Sequence, residues 1–99
     1  MAITANVDLG NGVTASSCYI IVPNAYVKKY DDDSLKLIYD VHIYKDASDR
    51  ATNLHTKQFK CREVDHHKIT YDPTTSDNPF KLAYTHLKTN SSLSSAADA

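Results

Sequence analysis

The chain has 99 residues, of which 11 are Lys or Arg and 12 are Asp or Glu, so its formal net charge is -1. This length allows one ordinary domain, and the near-neutral charge provides no general attraction to nucleic acid or to an anionic membrane surface. Its two glycines, Gly10 and Gly12, are too few for the phosphate-binding loops of nucleotide-binding proteins.

The amino-terminal third predicts two strands and a reversal between them. Residues 2–9 alternate apolar and polar side chains, as in a strand with one buried face. The turn signal Gly10-Asn11-Gly12 follows, because these residue types tolerate a positive φ. Residues 17–22 are apolar on both faces, which suits a central strand, and residues 24–30 resume the extended pattern. We expect a bulge or bend at Pro23, which cannot donate to the ladder.

The clearest pattern lies between residues 35 and 44, where alternate positions are apolar. It predicts a long antiparallel strand with one face in the core. The preceding Asp31-Asp32-Asp33-Ser34 is predicted to be a charged hairpin tip, since it lacks the glycine and closing glutamate of a calcium-binding loop. Residues 46–53 are predicted to form a polar loop, and residues 54–64 and 68–71 an outer strand and a short strand.

A change to helical spacing marks the end of the domain. Asn78 is a capping residue before Pro79, and the apolar residues that follow recur at helical intervals, so we expect a helix that ends near Thr89. Residues 1–89 form a single β-rich domain in this interpretation, and residues 90–99 a flexible tail of small residues. The predicted fold is mainly β (α+β), an antiparallel sandwich or barrel-like sheet of about five strands with one carboxy-terminal helix. The predicted core stripe of the helix is Phe80, Ala83, Tyr84 and Leu87.

The chain offers weak candidates for metal binding or catalysis. His55 and Cys61 lie about 20 Å apart on a straight strand, too far to share one ion. His66 and His67 point to opposite faces of an extended chain, and as loop residues they are expected to be solvated. We therefore predict no cofactor, metal site or catalytic group. A small metal-dependent effector or enzyme that uses Asp65, His66 and His67 stays open as an alternative.

Tyrosine is the one residue type in excess, with seven tyrosines against two phenylalanines and no tryptophan. A tyrosine ring suits a protein interface, because it buries apolar area while its hydroxyl still finds a polar partner. Tyr26, Tyr30 and Tyr44 fit one monomer core less well than Tyr39 or Tyr84, and we predict that they are interface residues. The alternative is that these tyrosines fill strand positions, for which they have good propensity.

The carboxy-terminal sequence resembles the end of a family of short structural proteins of tailed bacteriophages. The similar segments are the helix and its continuation over residues 78–89 and the small-residue end over residues 96–99. Shorter similarities are Asn24-Ala25-Tyr26 and Tyr44-Lys45-Asp46 in the strand-rich body. The chain departs from the family pattern at residues 90–93, where a leucine- and proline-rich continuation is usual.

The resemblance implies a non-enzymatic virion component in or near the tail, such as a baseplate or tail-fibre subunit. Its partners would be other virion proteins or further copies of itself, with no nucleic acid or membrane, and it would be assembled in the host cytoplasm. A capsid decoration protein is the alternative within virions. The segment from Ser91 to Ala99 is expected to become ordered against a neighbour. The predicted contacts there are Ser91, Ser92, Leu93, Ala96, Ala97, Asp98 and Ala99.

Overall fold

The computed structural model describes residues 2–10, 12–52, 58–59 and 62–99, which form a mainly β, α+β fold, so the predicted fold class is confirmed. The strands are β1 (Ile3–Asp8), β2 (Thr14–Lys29), β3 (Leu35–Tyr44), β4 (Gln58–Phe59), β5 (His66–Thr70) and β6 (Leu93–Asp98). The helices are α1 (Ala47–Thr52), α2 (Arg62–Asp65) and α3 (Pro79–Leu87).

These strands belong to one antiparallel sheet. Its order is β4-β3-β2-β1-β6, and β5 also pairs with β3. β3 therefore has β2 along one edge and two short strands along the other, with β5 opposite Lys36–Asp40 and β4 opposite Ile43 and Tyr44. The helix α3 packs on β2 and β3 and covers the core on that face. Within the described ranges, no helix is long and apolar enough to cross a bilayer.

β2 changes the phase of its side-chain alternation twice, because it carries two bulges. Ser16 and Ser17 together oppose Asn6 of β1, and the second bulge places Val22 and Pro23 opposite a single residue of β3. Each extra residue moves the following side chains to the other face. The bulge expected at Pro23 is confirmed. Between the bulges the core residues of β2 are Cys18, Ile20 and Val22, and after them Ala25 packs against the same core.

Two serines adopt the left-handed backbone conformation at bulges on either side of β1. Ser17 has a φ of 52°, and its backbone N–H donates to Asn6 Oδ1 at 2.9 Å. On β6, Ser95 has a φ of 54° and lies in a bulge opposite Ala5. This conformation costs a residue with a Cβ about 1–2 kcal/mol. Both bulges therefore store strain that glycine would relieve.

We predict that Ser95→Gly raises the free energy of unfolding by about 0.5–1 kcal/mol, because the relief of strain exceeds the entropy cost of glycine. The control is Ser94→Gly on the same strand, where φ is not positive and glycine should destabilise. Urea unfolding of both variants measures the difference. Equal destabilisation by the two substitutions would contradict the strained bulge.

The helix α3 begins and packs largely as its sequence predicts. The Asn78 side chain caps it by accepting a hydrogen bond from the Lys81 N–H at 2.8 Å. Ala83, Tyr84 and Leu87 are buried, but Phe80 is 43% exposed, so the predicted core stripe is wrong at Phe80. Phe80 is the second residue of α3, and the buried positions of the helix begin only at Ala83, one turn later.

The hydroxyl of Tyr84 joins α3 to the second bulge of β2. It accepts a buried hydrogen bond from the Val22 N–H at 2.8 Å. β1 reaches along β2 only to Ile20, so this N–H lies beyond the last residue that β1 pairs. A buried N–H without a partner is costly, and the tyrosine supplies the acceptor that β1 no longer provides.

We predict that Tyr84→Phe lowers the free energy of unfolding by about 1–3 kcal/mol, the cost of leaving a buried donor unpaired. Tyr84→Ala should cost about 3–5 kcal/mol because the ring is lost as well. Chemical denaturation followed by circular dichroism measures both. A Tyr84→Phe variant as stable as the parent chain would show that water or another acceptor replaces the hydroxyl.

Two segments of the central region differ from their sequence predictions. The predicted loop over residues 46–53 contains α1, which starts with a hydrogen bond from the Arg50 N–H to the Asp46 carbonyl at 3.1 Å. Of the predicted strand over residues 54–64, the described residues confirm Gln58–Phe59 as β4, whereas the prediction is wrong at residues 62–64, which are helical. β4 pairs with β3 at Ile43 and Tyr44, beyond the part of β3 that pairs with β5. Residues 53–57, 60 and 61 lie outside the described residues.

The carboxy-terminal segment also differs from its prediction as a flexible tail, because it forms β6 along β1. The Asp8 N–H donates to the Ser92 carbonyl at 2.8 Å, and the Ala99 N–H donates to the Ala2 carbonyl at 3.0 Å. Leu93 is buried in the core. The outer edge of β1 offers backbone groups that need partners, and hydrogen bonds to the backbone are available to any sequence without proline.

Candidate functional site

The three tyrosines predicted as interface residues lie in different environments. Tyr26 is 51% exposed, and Tyr30 is half-buried just after β2. Tyr44 is 1% exposed, so its prediction as an interface residue is wrong. Its ring lies edge-on to His42, with centroids 6.4 Å apart, at the end of β3 that β4 covers. Of the three, only Tyr26 and Tyr30 are available to a partner.

The predicted carboxy-terminal contacts are divided between the core and the surface. Leu93 is buried and cannot serve as a contact, and Ala96 is half-buried against the core. Asp98 forms an ion pair with Lys88, in which Oδ1 of the aspartate lies 2.9 Å from Nζ of the lysine, and both side chains are partly exposed. An outer strand, and not a free tail, therefore carries the accessible positions. Ser91, Ala97, Asp98 and Ala99 are exposed, and Ser92 is half-buried.

The strand register gathers lysines and tyrosines on the sheet face opposite α3. Lys28 of β2 lies opposite Lys36 of β3, which in turn lies opposite Thr70 of β5. In the adjacent row, Ile38 lies between Tyr26 and Lys68 and is buried beneath them. Strand alternation places both rows on one face. We name this surface the lysine–tyrosine face; its residues are Tyr26, Lys28, Tyr30, Lys36 and Lys68.

The ring of Tyr30 holds two of these lysines in place. The Nζ atoms of Lys28 and Lys68 lie 5.2 Å and 5.0 Å from the centroid of the ring. Each cation–π contact at an exposed site contributes about 0.5–1 kcal/mol, which offsets the repulsion between two like charges. Tyr30 thus maintains a concentrated positive charge on an exposed face.

The hairpin between β2 and β3 adds negative charge beside this face. Asp32 Oδ1 accepts hydrogen bonds from the Ser34 N–H at 3.0 Å and the Ser34 hydroxyl at 2.6 Å, and these bonds lower the pKa of Asp32. Asp33 forms an exposed ion pair with Lys29 at 3.4 Å. We name Asp31–Asp33 the acidic tip. An open cleft of about 430 Å³ lies between the tip and the lysines, lined by Tyr30, Asp31, Asp32, Ser34, Lys36 and Lys68.

The histidines predicted to lie in a solvated loop are part of β5. Their side chains point to opposite faces, as expected for adjacent residues in a strand. His66 Nδ1 lies 2.6 Å from Asp40 Oδ1, and this contact lowers the pKa of the Asp40 carboxyl. His67 lies on the other face, beside Tyr39 and α3. The strand therefore separates the two rings that the metal hypothesis would bring together.

A cluster of three rings joins β3, β5 and α3 beneath the sheet. The Tyr39 hydroxyl lies 2.6 Å from His86 Nδ1, and burial raises the pKa of Tyr39, so the hydroxyl remains a donor. The ring of His67 lies 5.1 Å from that of Tyr39 and 5.6 Å from that of His86. Burial and the nearby His86 lower the pKa of His67. These surroundings favour the neutral form of His67.

Beside this cluster, α3, β5 and the loop that follows β5 border a partly open pocket of about 400 Å³. Leu37, Ile69 and Leu82 supply apolar lining, and His86 and Asp72 are among the polar residues around them. The Asp72 carboxylate is already engaged, since it accepts hydrogen bonds from the N–H and the hydroxyl of Thr74. The pocket has the size and lining to accept an apolar side chain or a small apolar molecule.

The Cys18 thiol, a further candidate for nucleophilic chemistry, lies in surroundings that suit core packing. Cys18 is a buried free thiol whose pKa is raised by burial, which disfavours the nucleophilic thiolate. Among the residues that the structure describes, no three His, Cys, Asp or Glu side chains are grouped as metal ligands. His55 and Cys61 lie outside those residues.

Sequence reasoning found Tyr26 and Tyr30 but missed the lysines beside them. Lys28, Lys36 and Lys68 belong to three strands, and only the register brings them together. Two signals in the sequence could have indicated this surface: the charged hairpin after Tyr30 and the alternation of β3. Comparison of the chain with known protein families, curated proteins and solved structures identified no match.

The lowered pKa of His67 gives folding a defined pH dependence. The unfolded chain binds a proton at the ordinary value of 6.5, whereas the folded chain binds it only at lower pH. The associated stability is fully present above pH 6.5 and is lost as the pH falls from there toward the folded pKa. Asp40, whose pKa is lowered from 3.8, contributes only in a more acidic range.

We predict that the free energy of unfolding falls between pH 7.5 and pH 5 and that His67→Gln reduces this loss. The reason is that glutamine does not take up a proton in the unfolded chain. Urea titrations of both proteins across this range measure the effect. His66→Gln, on the exposed face, is the matched control. An unchanged pH dependence in His67→Gln would contradict the role of this half-buried ring.

Proposed function

We propose that the protein is a non-enzymatic structural subunit of a bacteriophage virion, located in the tail or baseplate and present in several copies. The resemblance of residues 78–89 and 96–99 to short tail-associated proteins supports this proposal. The positions of Tyr26 and Tyr30 on an exposed sheet face agree with it, because such rings are favoured at protein interfaces.

The observation that carries the proposal is the outer edge of β6. β6 pairs with β1 on one side, and it is the last strand of the sheet order along the described chain. Its side chains between Leu93 and Asp98 are small, so a neighbouring extended segment can approach its backbone closely. Sheet edges bind such segments by strand addition, with backbone hydrogen bonds that do not require a particular sequence.

Asp98 provides a way to block this edge without disturbing β1. The Ala99 N–H donates to the Ala2 carbonyl, so by the alternation of an antiparallel ladder the Asp98 N–H points away from β1. Proline at this position would remove an outward-facing donor only, as at natural edge strands.

We predict that Asp98→Pro folds normally but enters virions about tenfold less efficiently than Asp98→Ala, because strand addition loses a backbone bond and meets the proline ring. Both variants lose the ion pair to Lys88, so alanine is the matched control. In the experiment, a deletion of the gene is complemented with each variant. Mass spectrometry then quantifies the chain in purified particles. Equal incorporation of the two variants would contradict docking at β6.

The same particles test the function itself. The proposal requires the chain to be a stoichiometric component of purified virions, with antibody labelling at the tail. Labelling over the capsid would instead support a decoration protein. Absence of the chain from particles would overturn the virion proposal.

A further inference from the structure

The lysine–tyrosine face and the acidic tip are neighbouring surfaces of opposite charge. The face carries Lys28, Lys36 and Lys68, whereas the tip carries three consecutive aspartates. Since the whole chain has a net charge of -1, the three lysines concentrate positive charge on an otherwise negative molecule. This separation of charge produces a local field that favours a partner with the opposite arrangement.

Within one chain the two surfaces are only partly neutralised: after the hydrogen bonds from Ser34, the charge of Lys36 also lowers the pKa of Asp32. In the described residues, no ion pair within 4.0 Å joins the acidic tip to the lysine–tyrosine face; the pair at the tip is that of Asp33 with Lys29. Lys28 and Lys68 are held over the Tyr30 ring, and Asp32 is held by Ser34. The cleft of about 430 Å³ separates the two sets of charges.

The shape of the cleft favours a protein surface over a small molecule. Small ligands are usually bound in concave sites that bury most of their surface, whereas this cleft is open to solvent. Tyr26, on the far side of the lysines from the tip, is 51% exposed and extends the available apolar area. A protruding, negatively charged loop is complementary to such a surface in both shape and charge.

We infer that the partner is a second copy of this chain, related by a two-fold axis, with the acidic tip of each copy on the lysine–tyrosine face of the other. A two-fold contact requires a surface that is complementary to itself. Adjacent basic and acidic regions meet this requirement, because rotation about an axis between them exchanges their positions. Tyr30, which lies between the two regions, would be near the axis.

This inference rests on the proposed function and names one contact of the assembly, but it can fail separately. Self-association is measured on the purified chain, whereas the virion role is measured on particles. A chain that is monomeric in solution yet present in virions would overturn this inference alone. A chain that forms the two-fold contact but is absent from particles would overturn the virion role alone.

The experiment uses two variants of altered charge and their mixture. The first combines Lys28→Glu with Lys68→Glu on the face and reverses the sign of its charge. The second combines Asp31→Lys with Asp32→Asn at the tip, which neutralises the tip, since Asp33 remains and asparagine keeps the oxygen that accepts from Ser34. Sedimentation velocity at low salt, over micromolar to millimolar protein, should show a reversible dimer for the parent chain. Each variant alone should have a dissociation constant about tenfold higher or more, as charge complementarity is lost.

The mixture is the decisive sample, because it alone brings the unaltered acidic tip of the first variant onto the unaltered lysine–tyrosine face of the second. We expect it to form dimers that neither variant forms alone, and these should dissociate at about 1 M salt, where the screening length is about 3 Å. Circular dichroism establishes that both variants fold. The matched control for the face variant is Lys81→Glu with Lys88→Glu on α3, which changes the net charge by the same amount as that variant and should leave dimerisation unchanged. A monomeric parent chain, or a mixture that stays monomeric, would overturn the inference.

Discussion

The structure depends on how one long strand satisfies its backbone where its neighbour ends. β1 pairs with β2 only as far as Ile20, and the bulge at Val22 and Pro23 follows immediately. The Tyr84 hydroxyl accepts the Val22 N–H at this point, inside the core. This hydrogen bond adds to the core packing of Ala83 and Leu87 in holding α3 on the sheet, and it supplies an acceptor where β2 continues beyond β1. Without it, the buried donor would disfavour the packing of the helix over this strand.

The same bulge determines which residues reach the solvent. Because Pro23 shifts the alternation, Ala25 faces the core, whereas Tyr26 and Lys28 face outward. Pairing with β3 and β5 then adds Lys36 and Lys68 to the outer face. The fold and the proposed interaction surface are therefore consequences of one local feature of the backbone. The helix lies on one side of the sheet and the charged surface on the other. Substitutions in the charged surface therefore leave the contacts of the helix in place, and substitutions in the helix leave the charged surface in place.

The sequence predicted those elements whose pattern is local. The period-2 alternation located β3, and Asn78-Pro79 located the start of α3, because cap and proline chemistry act within one turn. β6 was not predicted, since its small residues carry no pattern and its strand is formed by pairing with the edge of β1. The interpretation of residues 17–22 as apolar on both faces reflects the phase shifts of β2, which single-sequence periodicity does not resolve.

The candidate surface was only partly predictable for a similar reason. Tyr26 and Tyr30 were identified by composition, but the lysines around them come from three strands whose register depends on long-range pairing. Tyr44 has the same composition signal and is buried at the end of β3. Residue type alone therefore does not separate interface tyrosines from core tyrosines.

We propose that this chain acts through contacts between subunits in a virion. The decisive measurement is cryo-electron microscopy of particles that contain the chain. We expect several symmetry-related copies, with the outer edge of β6 and the lysine–tyrosine face both covered by neighbouring protein. Particles without the chain, or copies in which both surfaces face solvent, would contradict it.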